Sequence, residues 1–599
     1  MRQIVDAPRF GFLELILVTL CGAVWMIKPA WGIWFIPTAL LPMALRVFAG
    51  RFRFKGIDWL VAVFVVTAWV GYWAAYDQAM AWNKAWMVVI AAMLYFSLKA
   101  QPERNLFHIS AFLFFLGVGV SVYYFLTHDF VALPRKLEFV NGLGRWIMTV
   151  RPQTSWRPIH PNYVAGMIAV TAPFILYPMQ DYRKGSAKTP VLFSLAVIVG
   201  SMLAGLALIM ATSRGAVFAI ASGAGGWLLW RSLQWAGTRR RIKSEAAFPI
   251  LLLIYLCASV AFLYFGPARS GSLFTGNYYY GDGSRAELFS RSIHLLLDYP
   301  ITGGGLGAFP GLYSQYLLGI PFFNVPNSHN LFLDVGIEQG LIGGLSFLLL
   351  YLASVWTVSG AIADRRENQT FRWIVLFSLI VAIVHGMVDD YLYNGVGAML
   401  SLFLAGLCMN GRKTTDETRT NPIDLRTAGA IAAIWLAIAF VNLNQIRAVW
   451  YANLGALQLA KVELDGFPDA GWAGEDIVPL LDEADASLHS ALQFDPTNRT
   501  ANQRLGLIHM YRRDFDTASR YLEIAHARAP EHRGIIKSLA YCYVWLGNAD
   551  KAREFLVQIP EAIEELDVYT RWWDAQGRND LSTKAQLALE FMNATVPQP

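Results

Sequence analysis

Residues 331–357, LFLDVGIEQGLIGGLSFLLLYLASVWT, form an apolar run in which Asp334 and Glu338 are the only charged side chains. A helix of about 20 apolar residues crosses the hydrocarbon core of a bilayer, so this run is long enough to span one. Similar runs recur on both sides of it through the first three quarters of the chain. The sequence therefore predicts an all-α membrane bundle with thirteen spans, at about 10–27, 31–49, 58–76, 84–98, 106–126, 162–179, 190–211, 216–233, 247–266, 331–357, 371–388, 395–410 and 427–443.

The composition divides the chain into two parts. Only 15% of the 599 residues are charged and 55% are hydrophobic, whereas about a quarter of a soluble domain is charged. The last 150 or so residues return to a soluble composition. We therefore expect a membrane domain at 1–443 followed by a soluble domain at 444–599. The net charge of +6 singles out no class of partner, and we expect no nucleic-acid partner.

The cysteines and the N-terminus add two expectations. Cys21, Cys257 and Cys408 lie in apolar spans and Cys542 is alone in the soluble part, with no CxxC pair. This pattern indicates neither a zinc site nor a disulfide framework. The first apolar run has no small-residue cleavage site after it, so we interpret it as a retained span rather than a signal peptide.

The loops between the spans predict the orientation of the chain. Cytoplasmic loops carry an excess of Lys and Arg, and here every second loop is basic. This places the N-terminus in the cytoplasm and, with an odd number of spans, the C-terminal domain on the outer face. The basic loops contain Arg51, Arg53, Lys55, Lys99, Arg104, Arg183, Lys184, Lys188, Arg231, Arg239, Arg240, Arg241, Lys243, Arg365, Arg366, Arg372, Arg412, Lys413, Arg419 and Arg426.

Three segments predicted to lie outside are basic against this rule. They are the loop 127–161, the junction 212–216 and the segment 267–330. An anionic ligand on that face would explain the excess charge, and the alternative is pairing with lipid phosphates or local carboxylates. The residues concerned are Arg135, Lys136, Arg145, Arg151, Arg157, Arg214, Arg269, Arg285 and Arg291.

The soluble part repeats with a period of 34 residues. Ala484, Ala518 and Ala552 are spaced by 34, and so are the pairs Leu488 and Leu522, Leu505 and Leu539, and Pro496 and Pro530. This period, with small residues where helices cross, resembles tetratricopeptide repeats. We predict repeats at 501–534 and 535–568, with degenerate helices at 446–463, 474–492 and 580–593 as caps. Such a stack binds a peptide or partner protein, or serves as a rigid lid or spacer.

The segment 327–343, NSHNLFLDVGIEQGLIG, has the densest chemical signal. His329 is followed by Asn330 and, further on, by Gly340 and Gly343. This arrangement resembles the signature of the O-antigen ligase and polymerase superfamily, which includes bacterial O-linked oligosaccharyltransferases. A His at the membrane boundary titrates near neutral pH and can accept a proton from a hydroxyl nucleophile. We predict that His329 is catalytic and that the two glycines allow the helix that follows it to pack closely.

Two further segments resemble the same superfamily. Residues 212–216, TSRGA, join two spans, and residues 284–287, SRAE, open an amphipathic stretch to about Asp298 that leads into the Gly-rich run 302–309. In this superfamily two arginines are held to bind the diphosphate of an undecaprenyl-linked glycan. The resemblance assigns that role to Arg214 and Arg285, and a guanidinium suits it because it forks onto phosphate oxygens. The Gly-rich run alone is also compatible with a flexible loop.

Other residues are weaker candidates. Arg157 precedes Pro158 in a segment with a looser counterpart in the family, and is a candidate for holding glycan or phosphate. Asp389 and Asp390 follow the eleventh span and are candidates for orienting His329 or an arginine, for metal binding, or for capping a helix. The metal alternative ranks lowest because the superfamily that the sequence resembles is metal-independent. We therefore expect no metal or cofactor. His385 and His294 are predicted to be packing residues.

The resemblance, strongest over 157–395, implies a lipid-donor glycosyltransferase fold and a location in the bacterial inner membrane with the C-terminal domain in the periplasm. It implies metal-independent transfer, with inversion, from an undecaprenyl-diphosphate donor to an acceptor hydroxyl. A lipid A core acceptor corresponds to an O-antigen ligase, another repeat unit to a polymerase and a Ser or Thr to protein O-glycosylation. We favour the ligase, although the thirteenth span and the repeat domain depart from the simplest ligases and leave the acceptor open.

Two functions of other classes compete with this prediction. A polysaccharide transporter or flippase also has twelve to fourteen spans, but it predicts ionisable residues at mid-depth and pseudo-repeated halves. A membrane-anchored assembly scaffold would leave the three motifs without a role. The clustering of the motif residues at one face favours the enzyme.

Overall fold

A computed structural model of the chain describes residues 2–5, 7–52, 54, 56–183, 191–240, 244–265, 285–317, 325–409, 440–468, 475–559 and 561–595. Within these ranges every regular element is a helix and no strand occurs. The all-α fold predicted from the apolar runs and the 34-residue period is therefore confirmed.

The part of the chain before residue 410 contributes seventeen α-helices to the described ranges. They are α1 (Arg2–Val5), α2 (Pro8–Ile27), α3 (Pro29–Phe48), α4 (Asp58–Ala74), α5 (Gln78–Lys99), α6 (Leu106–Thr127), α7 (Glu138–Val150), α8 (Pro161–Thr171), α9 (Leu176–Arg183), α10 (Val191–Ala211), α11 (Arg214–Arg240), α12 (Phe248–Phe265), α13 (Arg285–Asp298), α14 (Phe309–Leu317), α15 (Leu331–Ala363), α16 (Gln369–Gly386) and α17 (Phe403–Cys408).

Nine helical segments in the described ranges are long and apolar enough to cross a bilayer. Two shorter apolar segments, Asp58–Ala74 and Gly395–Cys408, and the 27-residue α11 cover three more predicted spans. The thirteenth predicted span, 427–443, lies almost entirely outside the described residues. The nine segments are Arg9–Ile27, Pro29–Phe48, Gln78–Lys99, Glu103–Thr127, Pro161–Gln180, Val191–Ala211, Glu245–Phe265, Leu331–Ala363 and Gln369–Gly386.

The core of the bundle lies between α4, α5, α15 and α16. Phe64 stacks on Phe347 with ring centroids 5.0 Å apart, and Leu379 of α16 is fully buried in the same cluster. Large apolar side chains on α10 and α12, such as Leu192 and Ile254, are exposed instead. Exposed apolar side chains of this size suit contact with lipid rather than water.

Helix α15 is broken at Gly340, which has φ 75° and ψ 177°. A Cβ at this position would lie 2.6 Å from the carbonyl oxygen of Ile301. The Gly-rich run packs into the break: the Gly304 amide donates to the Ile337 carbonyl at 2.7 Å, and the Leu341 amide donates to Pro300 at 2.8 Å. This conformation is not helical, so the prediction that Gly340 lies within a continuous helix is wrong. The conformation is accessible to glycine almost alone, which explains the residue type. The run 302–307 is a largely buried packing loop.

Gly343, in contrast, is helical and allows a close crossing. A Cβ there would lie 2.9 Å from the Thr67 hydroxyl oxygen on α4. Thr67 in turn hydrogen-bonds to Gln339 at 2.9 Å, just before the break. The close packing predicted for the glycine pair thus holds at Gly343.

The described residues from 443 onwards form a stack of four antiparallel helix pairs. Ala484, Ala518 and Ala552, at the predicted crossings, are all buried. A Cβ at Gly506 would lie 2.6 Å from the Leu522 side chain, so the helices of that pair are nearly in contact. The helices are α18 (Leu443–Glu463), α19 (Asp482–Phe494), α20 (Arg499–Tyr511), α21 (Phe515–Arg528), α22 (Arg533–Leu546), α23 (Ala549–Leu556), α24 (Ala562–Ala575) and α25 (Asn579–Thr595).

Candidate functional site

His329 lies in a buried loop immediately before α15. Its backbone is left-handed, with φ 56°, which is uncommon for a residue with a side chain. The surrounding loop holds this conformation: the His329 amide donates to Asn327 Oδ1 at 2.9 Å, and the Ser328 amide donates to Asp334 Oδ1 at 2.9 Å. The conformation of the loop that carries the imidazole is therefore held by hydrogen bonds within that loop.

Asn330 is the N-cap of α15. Its Oδ1 accepts from the amides of Phe332 and Leu333, both at 3.1 Å, and its Nδ2 donates to the Met387 carbonyl at 3.5 Å. These contacts satisfy amides that a helix leaves unpaired at its start. Asn330, a candidate from the sequence, thus ties the His329 loop to the segment that follows α16.

Asp389 faces His329 from that segment. The Nδ1 atom of His329 lies 3.7 Å from Oδ1 of Asp389, and both residues are buried. Burial and the charge of Arg285 lower the pKa of His329, while Asp389 opposes the shift. Burial raises the pKa of Asp389, but His329 and the charge of Arg285 outweigh it and hold that pKa below its usual range. The pair is therefore a neutral imidazole beside an ionised carboxylate at neutral pH.

Asp390 takes part in a different network. Its Oδ1 accepts from the Tyr163 hydroxyl at 2.6 Å, and that hydroxyl accepts from Asn327 at 2.7 Å and from Asn394 at 2.9 Å. Because Asn327 also accepts the His329 amide, the network connects α8 to the His329 loop. No motif in the sequence indicated Tyr163, whose partners lie more than 160 positions away.

The two arginines assigned by resemblance both begin helices. Arg214 is the first residue of α11 and is exposed; Arg285 is the first residue of α13 and is half-buried. The charge of Arg285 acts on both His329 and Asp389. Next to Arg214, a Cβ at Gly215 would lie 2.8 Å from the Val388 side chain. The structure thus brings both helix starts to the loop that carries Asp389. Ser284 and Arg269 lie outside the described residues.

Two basic residues of the loop 127–161 join this group. Arg135 donates to the Ala211 carbonyl at 2.5 Å and to the Thr212 hydroxyl at 3.0 Å, which holds the loop against the turn before Arg214. Partial burial, with the charges of Arg214, Arg135 and Arg285, lowers the pKa of the adjacent Lys136. Lys136 therefore belongs to the same cationic cluster. The sequence indicated it only as one of several basic residues in this loop.

The other basic residues of the outer segments have local contacts. Arg145 pairs with Glu138 at 2.8 Å, Arg151 donates to the carbonyls of Phe125 and His128, and Arg291 pairs with Glu287. For Arg145 and Arg291, pairing with a local carboxylate accounts for the charge, which was the alternative to an anionic ligand. Arg151 is held by backbone carbonyls instead.

The segment that contains Arg157 passes beside the site. The Arg157 side chain is exposed, and its carbonyl accepts from the Tyr123 hydroxyl at 2.9 Å. Three residues later, the His160 ring centroid lies 6.5 Å from that of His329. His385, predicted to be a packing residue, is buried at the end of α16 and lies against Gly166 and Tyr391.

An apolar groove opens beside the His329 loop. It encloses about 340 Å³ between α12, α13 and α15, and its lining also includes Asn330, Met387 and Val388. Its walls include Leu263 and Phe289. A groove lined in this way suits a hydrocarbon chain.

Asp389 and Asp390 do not converge on one point, because the first faces His329 and the second faces Tyr163. In the part of the chain that the structure describes, no group of three or more His, Cys, Asp or Glu side chains is arranged to hold a metal ion.

Comparison with known proteins identifies two regions. Residues 199–348 match the family model of the O-antigen ligases, and this region contains Arg214, Arg285 and His329. Residues 509–578 match a tetratricopeptide repeat model. No curated protein and no solved structure matches the chain. The chain is thus similar to the O-antigen ligases over 199–348 and to tetratricopeptide repeats over 509–578, and the resemblance seen in its motifs is confirmed.

Proposed function

We propose that this protein transfers a glycan from an undecaprenyl-diphosphate donor to an acceptor hydroxyl at the periplasmic face of the inner membrane, as an O-antigen ligase. The observation that supports the proposal is that a neutral imidazole, an ionised carboxylate and a guanidinium, those of His329, Asp389 and Arg285, lie close enough to influence one another. Two of the three residues lie in the region that matches the O-antigen ligase model.

In this mechanism His329 is the general base. A neutral imidazole accepts the proton of the acceptor hydroxyl as its oxygen forms a bond to the anomeric carbon. The bond from that carbon to the diphosphate breaks at the same time, and its electron pair leaves with undecaprenyl diphosphate. Asp389 stabilises the imidazolium that forms. A single displacement of this kind inverts the anomeric centre.

Arg214, Arg285 and Lys136 neutralise the diphosphate. Arg214 and Arg285 stand at helix starts, where backbone amides add to the positive potential. Fixed cations that face the leaving group stabilise the charge that develops on departure, and we propose that no metal ion is required. The exposed Arg157 stands where it can contact the glycan.

The apolar groove accounts for the lipid part of the donor. Its lining includes Met387 and Val388, which directly precede Asp389, and Phe289 on α13, four residues after Arg285. A polyprenyl chain lying in this groove would bring its diphosphate to the cations. The acceptor hydroxyl would reach the site from the periplasmic side.

The test is transfer by the purified full-length protein in EDTA, with an undecaprenyl-diphosphate oligosaccharide and lipid A core. We expect a ligation product that His329→Ala and Arg214→Ala abolish, while the exposed His489→Ala in the repeats retains it. Wild-type product from His329→Ala would contradict the mechanism. Ladders formed from the donor alone would instead identify a polymerase, and transfer to a Ser or Thr would identify a protein glycosyltransferase.

A further inference from the structure

The repeat stack is in contact with the helix that carries Arg285. Asp298, the last residue of α13, is fully buried between Arg499, at 2.7 Å, and Arg504, at 3.4 Å, and it accepts from the Thr500 hydroxyl at 2.7 Å. All three partners belong to α20. A buried carboxylate is stable only when it is paired and hydrogen-bonded in this way.

A second contact holds the Gly-rich run that follows α13. Asn453 of α18 accepts from the amides of Ile301 and Thr302 at 3.0 and 3.3 Å, and it donates to the Thr302 hydroxyl at 2.8 Å. The same run fills the break in α15 at Gly340. One asparagine thus connects the repeat stack to the helix that follows His329.

A third contact involves α14 and the start of α22. The rings of Tyr316 and His532 lie 4.5 Å apart, and a Cβ at Gly534 would lie 2.9 Å from the Tyr316 carbonyl oxygen. The contacts therefore come from the first helix of three successive pairs, namely α18, α20 and α22. The face that they share is occupied by the segment from α13 to α14 of the same chain.

We propose that the repeat stack is a positioning clamp for α13, in which Asn453, Arg499 and Arg504 hold the helix so that Arg285 faces His329. The inference rests on the proposed function, because it assumes that Arg285 binds the donor diphosphate. Helix α13 has 14 residues and is therefore about 21 Å long. With Asp298 anchored at one end, a tilt of about 5° would displace Arg285 at the other end by about 2 Å. Displacements of this size at a reacting centre reduce rates strongly.

The test measures binding of undecaprenyl diphosphate, without glycan, to the full-length protein in detergent. The variants are Asp298→Asn, Arg285→Ala and the double variant, and Arg571→Ala is the control because its ion pair with Asp567 is exposed on the same repeat stack. We expect Asp298→Asn and Arg285→Ala each to weaken binding about tenfold or more. In the double variant the loss should equal that of Arg285→Ala alone, because both changes act through one guanidinium.

The outcomes separate the clamp from the proposed function. Wild-type binding by Asp298→Asn, with weak binding by Arg285→Ala, would overturn the clamp and leave the proposed function intact. Independent, additive losses would also overturn it, because they would show general destabilisation. Wild-type binding by Arg285→Ala would reject the role of Arg285 itself, and the clamp would be rejected with it. Asp298→Glu keeps the charge and should recover part of the binding, which a failure to fold would not allow.

Discussion

At the residue scale, His329 stands between two opposing charges. Asp389 raises the pKa of the imidazole, whereas burial and Arg285 lower it, and the net direction is downward. A base with a lowered pKa stays neutral, and so remains able to accept a proton, at pH values below its ordinary 6.5. The acidic limb of the pH profile of kcat/KM should therefore lie below 6.5.

Asp389→Asn tests how Asp389 influences the pKa of His329. Loss of the carboxylate removes the influence that raises the pKa of His329, so the acidic limb of kcat/KM should move to lower pH. The maximal rate should fall about 100-fold, because the imidazolium loses its stabilising partner. A pH series of initial rates measures both effects. Asp364→Asn, at the other end of α15, is the control, and a limb that moves upward or stays in place would contradict the assignment.

Lys136 supplies a second prediction at this scale. Lys136→Gln removes one cation from the group formed with Arg214 and Arg285, so the KM for the donor should rise about tenfold, in line with loss of a charge-assisted hydrogen bond. The turnover number should change little. Arg145→Gln, with the same loss of charge in the same loop but an exposed pairing with Glu138, should stay within about twofold of wild type. Equal effects of the two substitutions would show that only the net charge of the loop matters.

The sequence predicted single residues where a local motif surrounded them. His329, Arg214 and Arg285 each stand in such a motif, and all three lie near the loop that carries Asp389. Tyr163 could not be predicted, since its hydrogen-bond partners Asn327 and Asn394 are brought to it only by the packing of α8 against the bundle. The place of Lys136 in the cationic group could not be predicted either, because it depends on the contact that Arg135 makes with Thr212.

At the scale of elements, the break in α15 is the feature that the motif around His329 does not predict. The spacing of Gly340 and Gly343 is compatible with one continuous helix, and span length predicted the bounds of most helices well. The break depends on the loop 299–307, which brings Ile301 and Gly303 to the position where a continuous helix would pass. A contact between segments forty residues apart leaves no periodic signal in either of them.

Gly340→Ala should destabilise the membrane domain by about 2–4 kcal/mol, because alanine at φ 75° is strained and its Cβ meets backbone at Ile301. Thermal unfolding in detergent measures the loss. Gly360→Ala is the matched control in the same helix: a Cβ there meets nothing within 4 Å, so the midpoint should stay unchanged or rise slightly. Equal midpoints for the two variants would contradict the account of the break.

At the scale of the molecule, the 34-residue period predicted the repeats but not what they contact. The period alone is compatible with a stack that binds a partner protein and with a lid or a spacer. The structure shows the face shared by α18, α20 and α22 against α13 and α14 of the same chain. The partners Asp298 and Arg504 are 206 residues apart, and each looks like an ordinary charged residue of an amphipathic helix when its own segment is considered alone.

The orientation of the whole chain in the membrane can be tested directly. The basic loops place the N-terminus in the cytoplasm and the repeats in the periplasm, because Lys and Arg are retained on the cytoplasmic side. Ser155 and Asp550, in the His329-side loop and in the repeats, and Glu367, between α15 and α16, are all exposed. In a variant without the four native cysteines, a membrane-impermeant maleimide added to spheroplasts should label Ser155→Cys and Asp550→Cys but not Glu367→Cys. Permeabilised cells should label all three, which shows that each thiol is reactive. Labelling of Glu367→Cys alone in intact spheroplasts would show that the topology is inverted. His329 would then lie on the cytoplasmic side, where a periplasmic ligase reaction cannot occur.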